Sequence, residues 1–248
     1  MNNFSASIRY VLAFLGLFAC TFSSMAAGAG DSQGVFVLPV EGPIDKGMLF
    51  VFRRAFREVE KLRPQAVVLE LNTPGGALNE TREIIAWMRS IKSKGCPVYA
   101  FVNPDALSAG AMLSLASSGI FMSSNATIGS AMPLAVSPFG GGVQDLHPDV
   151  KEKMLSAVRA MVVSMAQENN FRTDVAVAMV DPNHDDLIAG DAVICPKGKL
   201  LNLTAQDATR IYPGESKPLL AKAMTDDINL VLEAIGLSDA SITRFQEE

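Results

Sequence analysis

The middle of the sequence reads VYAFV at residues 98–102 and LSAGAMLSLA at residues 107–116. The first run is apolar and typical of a buried strand, whereas the second begins with a small hydroxyl residue and continues with helix formers. Ser108 is therefore predicted at a strand-to-helix turn, where backbone N–H groups lack intrahelical partners and attract negative charge. Two roles fit a serine there: a helix cap, which is the commoner role, or a nucleophile.

The same alternation of strand and helix extends along the chain on both sides of this stretch. Apolar runs typical of strands stand at 35–40, 66–71 and 120–122, and amphipathic patterns predict helices at 46–62, 77–92, 149–170 and 227–235. Strands that alternate with helices at short intervals imply βαβ units and a parallel sheet. We predict one α/β domain at residues 34–238, followed by a tail at 239–248.

The first thirty residues have the form of an export signal. Arg9 supplies a positive charge, residues 11–18 are apolar, and small residues at 24–29 offer cleavage sites. Residues 1–29 are thus a signal peptide or an N-terminal anchor. Cys20 also fits a lipid-acceptor position after Leu17-Phe18-Ala19. Each alternative places the protein outside the cytoplasm, in the periplasm or attached to the membrane through its N-terminus.

Charge and cysteine content exclude several classes of function. A formal net charge of -5 and the absence of a basic stripe argue against nucleic acid as a partner. Cys96 and Cys195 form no C-x-x-C motif and have no His/Cys ligand spacing, so neither a metal site nor a cofactor is expected. The two thiols either pair or remain free.

A second turn, Asn72-Thr73-Pro74-Gly75-Gly76, follows the strand at 66–71 and precedes a helix. Pro74 fixes one φ angle, and the two glycines permit positive φ and a close approach of a ligand to the backbone. Such a turn at the carboxyl end of a parallel strand suits an anion or an oxyanion, although a plain connecting turn fits equally well.

A serine nucleophile needs a base, and the sequence offers two kinds. His147 and His184 are the only histidines, and both are expected in exposed loops. The other kind is a lysine that is neutral near pH 7. The apolar face of the 149–170 helix, traced through residues 150, 154, 157, 158, 161, 162 and 165, puts Lys153 at its edge and Lys151 on the polar side. Taken alone, both lysines fit a solvated helix surface.

Three segments together resemble the ClpP-class serine proteases. They are LNTPGG at 71–76, SAG at 108–110 and ATIGSAMP at 126–133. The closest resemblance is to the NfeD branch, membrane-associated proteases encoded beside stomatin-like proteins. SMAQE at 164–168 and LTAQDA at 203–208 also look like that branch, and the similarity covers about residues 34–235. The resemblance implies an α/β ClpP/crotonase spiral of ββα units.

The same resemblance implies a set of site residues. Ser108 would be the nucleophile, the Gly76 and Ala109 amides would form the oxyanion hole, and Pro74 with Gly75 would shape the supporting turn. The segment that carries the triad histidine in ClpP relatives, here residues 128–133, contains none. The NfeD branch instead resembles a Ser-Lys dyad, and counting back from Ala166-Gln167 selects Lys153 as the base, with Lys151 as the alternative.

The predicted function is therefore that of an exported serine endopeptidase that hydrolyses peptide bonds in membrane-associated or apolar protein segments. The resemblance implies a protein or peptide substrate, a stomatin-like membrane protein as partner, and a homo-oligomer, dimer or larger. Longer members continue into a C-terminal membrane region, which this sequence is expected to lack. A non-catalytic scaffold that binds a membrane protein is the main alternative. An acyl-CoA enzyme shares the fold, but the export signal argues against it.

Overall fold

A central sheet of parallel strands organises the domain. The computed structural model describes residues 34–135, 142, 144 and 147–246, all within one compact unit that covers 32–248. The predicted signal at 1–29, with Cys20, lies outside the described residues. The strands are β1 (Val35–Glu41), β2 (Ala66–Thr73), β3 (Val98–Leu107), β4 (Ile120–Met122), β5 (Thr127–Gly129), β6 (Leu187–Ala189), β7 (Ala192–Cys195), β8 (Asn202–Thr204), β9 (Ala223–Met224) and β10 (Ile242–Arg244).

Helices connect these strands and confirm the predicted alternation. They are α1 (Lys46–Leu62), α2 (Leu78–Ser93), α3 (Ala109–Leu115), α4 (Pro148–Glu168), α5 (Thr173–Val180), α6 (Ala205–Thr209) and α7 (Ile228–Ala234). The main sheet has the order β10-β1-β2-β3-β4-β9, with parallel neighbours throughout. β5 pairs in parallel with β3 and antiparallel with β8, and β6 and β7 form a separate hairpin.

Both faces of the sheet are covered, which explains the continuous apolar runs of its strands. Along β1, Phe36 and Leu38 pack into the larger core cluster, which includes buried residues of α1, α2 and α3. The alternate residues Val35 and Val37 pack into a smaller cluster with residues of α7 on the other side. Side chains alternate between the faces because successive residues of a strand point in opposite directions.

Parallel pairing brings the two predicted turns to the same edge of the sheet. In the register of β2 and β3, Leu71 pairs with Val102 and Thr73 pairs with Ala106. The carboxyl ends of neighbouring parallel strands therefore coincide. The glycine turn that follows Thr73 consequently lies beside Ser108, which follows β3.

The carboxyl-terminal boundary predicted from the sequence is wrong. Residues 239–248 were expected to form a tail, but β10 pairs in parallel with β1, and the buried Phe245 ring contacts Phe36 with a centroid distance of 6.2 Å. The pattern was missed because all three residues of β10 are exposed and carry no apolar run. The domain therefore continues to at least Phe245.

The two cysteines of the described chain are unpaired. Cys96 and Cys195 are free thiols, so of the two alternatives predicted for them the unpaired one is found. Within the described part of the chain, no helix combines the length and apolar character needed to cross a membrane.

Candidate functional site

Ser108 occupies a sharp turn between β3 and α3. Its backbone has φ 52° and ψ -112°, a conformation that residues other than glycine rarely adopt. The turn is fixed by backbone bonds, since the Ser108 N–H donates to Gly129 O at 2.9 Å and its carbonyl accepts from Met112 N–H at 3.2 Å. The side chain makes no cap hydrogen bond to the helix. The cap role considered from the sequence is thus absent, and the hydroxyl is presented as in a strained nucleophile elbow.

The glycine turn packs directly against this elbow. Gly75 has φ 106°, and a Cβ placed on it would lie 2.4 Å from Ser108 Cβ and 3.1 Å from the Ala109 nitrogen. Both the conformation and the contact require glycine at this position. The backbone of the turn is therefore too close to Ser108 and Ala109 to leave room for a side chain at Gly75.

Two backbone amides at this contact have no acceptor among the described residues. The Gly75 carbonyl accepts from Ile44 N–H at 2.8 Å, and Ala77 N–H donates to Ile44 O at 2.7 Å. Because carbonyl and N–H of a trans peptide point in opposite directions, the Gly76 N–H points away from Ile44. The Ala109 N–H begins α3 and has no intrahelical partner. These are the two donors that the resemblance implies for an oxyanion hole.

A pocket of about 740 Å³ opens in front of Ser108. Its walls are mostly apolar, and its polar side chains are those of Ser108, Ser130 and Thr81. The Thr81 hydroxyl is used within its own helix, where it donates to Ala77 O at 2.8 Å. The remaining lining residues are Pro74, Gly76, Ala77, Leu78, Leu107, Ala109, Met112, Ala131, Met132, Pro133, Leu134, Met154 and Val158.

None of the described residues that line this pocket is titratable, and both candidate lysines are exposed. Lys153 directly precedes the pocket residue Met154. Among the described residues, no hydrogen bond or ion pair joins Lys153 or Lys151 to Ser108. The structure thus places Ser108 and the two amides together, and it places the lysines in the first turns of α4, which contributes Met154 to the pocket wall.

The predicted orientation of α4 is wrong by part of a turn. Its buried residues are Leu155, Val158, Val162, Met165 and Ala166. At 100° per residue, Lys151 lies in line with this buried face and on the side of Met154 and Val158, whereas Lys153 lies on the opposite side. The sequence had suggested the reverse, because the apolar residues Val150, Ala157 and Met161, which are not buried, widened the apparent face.

Neither histidine is among the described residues that line the pocket, and the expectation of an exposed loop is met only by His147. His147 caps α4, with its Nδ1 3.5 Å from an Asp149 oxygen. His184 is buried instead. Its ring nitrogens face the carbonyls of Asp185 and Lys199, and its Nε2 lies 3.6 Å from Cys195 Sγ. Burial, and after it the charge of Asp186, raises the pKa of the Cys195 thiol, so this pair is a packed polar contact.

Sequence reasoning missed two residues that shape the site. Ile44 holds the glycine turn through backbone bonds alone, and no side-chain pattern signals such a role. Thr73 is fully buried, and its Oγ1 accepts from Gly75 N–H at 3.1 Å. A hydroxyl residue at the end of an apolar strand was the available signal. In the described part of the chain, no group of three or more His, Cys, Asp or Glu side chains is placed to hold a metal ion.

Two relatives are similar to this chain in sequence. The chain is 28% identical over 236 residues to membrane protein NfeD1b of Bacillus subtilis, which covers 95% of this chain and 49% of the relative. It is 26% identical over 145 residues to the membrane-bound protease PH1510 of Pyrococcus horikoshii, which covers 57% of this chain and 31% of that one. The chain thus spans about half the length of the first relative and about a third of the second.

Solved structures share the fold. Two of them, a serine-to-alanine variant of the 1510-N membrane-bound stomatin-specific protease and a lysine-to-alanine variant in complex with a substrate peptide, each match with TM-score 0.67 and 20% identity. Both matches cover 88% of this chain, and they cover 99% and 94% of the respective neighbours. The predicted α/β fold of the ClpP/crotonase type is confirmed.

The family is established by a match that extends over most of the chain. The model of the NfeD1b N-terminal domain matches residues 34–245, from the residue before β1 to the buried Phe245 beyond β10. This range contains the elbow at Ser108, the glycine turn and α4. The chain therefore belongs to the NfeD1b N-terminal domain family.

Proposed function

We propose that this chain is a serine endopeptidase in which Ser108 is the nucleophile and Lys153 is the base. The observation that carries the proposal is the elbow itself. A serine hydroxyl that makes no cap bond stands beside two backbone amides that have no acceptor among the residues the structure describes, at the mouth of an apolar pocket. That combination supplies a nucleophile, an oxyanion hole and a place for a substrate side chain.

The reaction would be acyl transfer to water. Neutral Lys153 takes the Ser108 proton while Ser108 Oγ attacks the scissile carbonyl, and the Gly76 and Ala109 amides bind the resulting oxyanion. The protonated lysine then gives its proton to the leaving amine, and a water molecule hydrolyses the acyl-enzyme by the same route. A lysine acts as a base only when it is neutral, so the mechanism requires the neutral amine at the moment of attack.

Lys151 is the alternative base. The resemblance selects Lys153, whereas the facing of α4 puts Lys151 on the pocket side of the helix. Both side chains have four-carbon stems on an exposed helix end. Lys153 directly precedes Met154 of the pocket wall, and Lys151 lies about one turn before Met154. Separate substitution of the two lysines distinguishes them.

The pocket walls support apolar protein segments as the substrate. Leu78, Met112, Met132 and Leu134 present hydrocarbon and thioether surface, and none of the lining side chains in the described part of the chain is charged. Since the solved neighbours are described as stomatin-specific, we propose a stomatin-like membrane protein as substrate or partner. From the form of the first thirty residues we propose an exported protein held at the membrane by residues 1–29 or by lipid on Cys20, and from the family resemblance a homo-oligomer.

The test is labelling with a fluorophosphonate, which reacts with activated serines, together with turnover of apolar peptides. Wild-type protein is expected to take up one label, mapped by mass spectrometry to Ser108 and not to Ser130, the other serine in the pocket. Ser108→Ala is expected to lose the label and to lower turnover on the order of 10⁴-fold or more. Equal labelling of the two proteins would refute the proposal.

A non-catalytic scaffold is the second candidate, and the exposure of both lysines favours it. A scaffold of this fold would bind its partner protein through the same apolar pocket without cleaving it. Binding of an apolar peptide that survives Ser108→Ala, in a wild-type protein that neither labels nor hydrolyses any peptide, is the result expected of a scaffold.

A further inference from the structure

Thr73, the last residue of β2, has a fully buried side chain, although its neighbours Asn72 and Pro74 are exposed. A buried hydroxyl needs hydrogen-bond partners, and here both bonds go to a single residue. The Gly75 N–H donates to Thr73 Oγ1 at 3.1 Å, and the hydroxyl donates to the Gly75 carbonyl at 3.5 Å. Thr73 therefore holds both polar groups of the glycine that packs against Ser108.

The Gly75 carbonyl belongs to the same peptide unit as the Gly76 N–H. Because the two groups of a trans peptide point in opposite directions, whatever holds the carbonyl also aims the N–H. The Ile44 N–H holds it at 2.8 Å, and the Thr73 hydroxyl adds a longer, weaker contact at 3.5 Å. Gly75 has no side chain to restrict its own rotation, so these bonds set the plane of this peptide.

The methyl group of Thr73 contacts the other half of the site. A Cβ placed on Gly110 would lie 2.7 Å from Thr73 Cγ2, so the methyl packs against the first turn of α3. That turn begins with Ala109, whose N–H is the second candidate oxyanion donor. One side chain thus touches the segments that carry both donors.

We infer that Thr73 is a positioning residue of the oxyanion hole. Its hydroxyl fixes the direction of the Gly76 N–H, while its methyl only packs against the first turn of α3. This role rests on the proposed peptidase function and adds to it the residue that orients the donors. A misdirected donor weakens only the interaction that forms as the oxyanion develops, so the loss appears in kcat and leaves KM nearly unchanged.

The test compares Thr73→Val, which has the same shape without the hydroxyl, with Thr73→Ser, which keeps it. Thr73→Val is expected to lower kcat by about 10- to 100-fold, less than removal of a whole donor, with KM within about twofold of wild type. Thr73→Ser is expected to recover most of kcat. A second readout is the ratio of affinities for a peptide aldehyde, which forms a tetrahedral adduct with Ser108, and for the matching alcohol, which does not. Thr73→Val should weaken the aldehyde alone.

Thr209→Val is the matched control, since it removes a hydroxyl that donates to Ala205 O at 2.7 Å in α6, away from the pocket. It is expected to keep wild-type kcat and the wild-type affinity ratio. A Thr73→Val protein with wild-type kcat and ratio, or with equal losses for aldehyde and alcohol, overturns the inference. If Thr73→Val does not fold, Thr73→Ala replaces it. If neither Thr73→Val nor Thr73→Ala folds while Thr73→Ser does, the hydroxyl is needed for stability, and the inference is also overturned.

The same assay separates this inference from the proposed function. Turnover that survives Ser108→Ala refutes Ser108 as the nucleophile, whatever Thr73 does. If Ser108→Ala loses turnover while Thr73→Val keeps wild-type kinetics, the proposed peptidase function is retained and only the positioning role of Thr73 is refuted.

Discussion

The two sides of the pocket are built in different ways. On one side, the elbow at Ser108 and the glycine turn are held by backbone hydrogen bonds to Gly129 and Ile44, and Ala109 and Gly110 are buried. On the other side, every residue from His147 to Lys153, the approach to α4 and its first turn and a half, is exposed. Leu155 is the first buried residue of α4.

This difference separates the two parts of the proposed chemistry. Electrostatic stabilisation of an oxyanion requires donors that are oriented before the reaction, and the backbone of the first side provides them. Proton transfer requires a base within hydrogen-bond reach of Ser108 Oγ, and the second side offers it on long, exposed side chains. Substitutions on the two sides should therefore differ in whether they lower the reaction rate alone or both the rate and the stability.

Among substitutions that leave Ser108 in place, the largest effect is expected from the base. Lys153→Ala should lower kcat by about 10²- to 10⁴-fold, the usual contribution of a general base, with little change in thermal stability because the side chain is exposed. The measurement is the rate of peptide hydrolysis and of fluorophosphonate labelling, together with a melting curve.

Lys151→Ala is the matched control for this substitution, since it removes the same side chain one half-turn earlier. It should stay within about threefold of wild type, a change typical of a solvated surface residue. The reverse pattern, with Lys151→Ala inactive and Lys153→Ala active, would assign the base to Lys151 and agree with the facing of α4.

A smaller loss of rate, with a loss of stability, is expected on the elbow side. Gly75→Ala forces a side chain into a positive φ and against Ser108, so kcat should fall by about 10²-fold and the free energy of unfolding by about 1–3 kcal/mol. Gly42→Ala is the control, because Gly42 also has a positive φ, 86°, but has open space around its Cβ position. An equally inactive Gly42→Ala would show that backbone strain alone accounts for the loss.

The smallest effect is expected from the pocket wall that belongs to α4. Met154→Ala should lower kcat/KM about tenfold for a peptide with leucine at the cleaved position, because a shallower apolar wall binds it less well. For the same peptide with alanine there, the change should stay below about threefold. Equal losses for both peptides would show that Met154 supports the helix and not the substrate side chain.

The strands were the most predictable part of the fold. Strands β1 to β4 bury both faces, so their continuous apolar runs and the intervening amphipathic helices identified a parallel α/β sheet from the sequence alone. β10 could not be found in this way, because its exposed residues Ile242, Thr243 and Arg244 join the sheet only through backbone pairing with β1. Such pairing depends on where a neighbouring strand stands, which local sequence does not encode.

The site was predictable where backbone conformation has a residue signature. Gly75 and Gly76 indicated a close approach of the backbone, and a serine between an apolar strand run and helix formers indicated a strand-to-helix turn. The facing of α4 was not predictable, because residues such as Ala157 are small enough for either side of a helix, and a shift of two residues turns a lysine about 200°. The burial of His184 depends on two carbonyl groups and Cys195, which only tertiary contacts bring to it.

The most direct measurement is a crystal structure of the protein with a peptide aldehyde bound to Ser108. The Ser108 adduct should show its oxyanion bonded to the Gly76 and Ala109 amides, and Lys153 Nζ about 2.6–3.2 Å from Ser108 Oγ. An adduct in which Lys153 remains in solvent while Lys151, or no lysine, reaches Ser108 Oγ would contradict the proposed dyad.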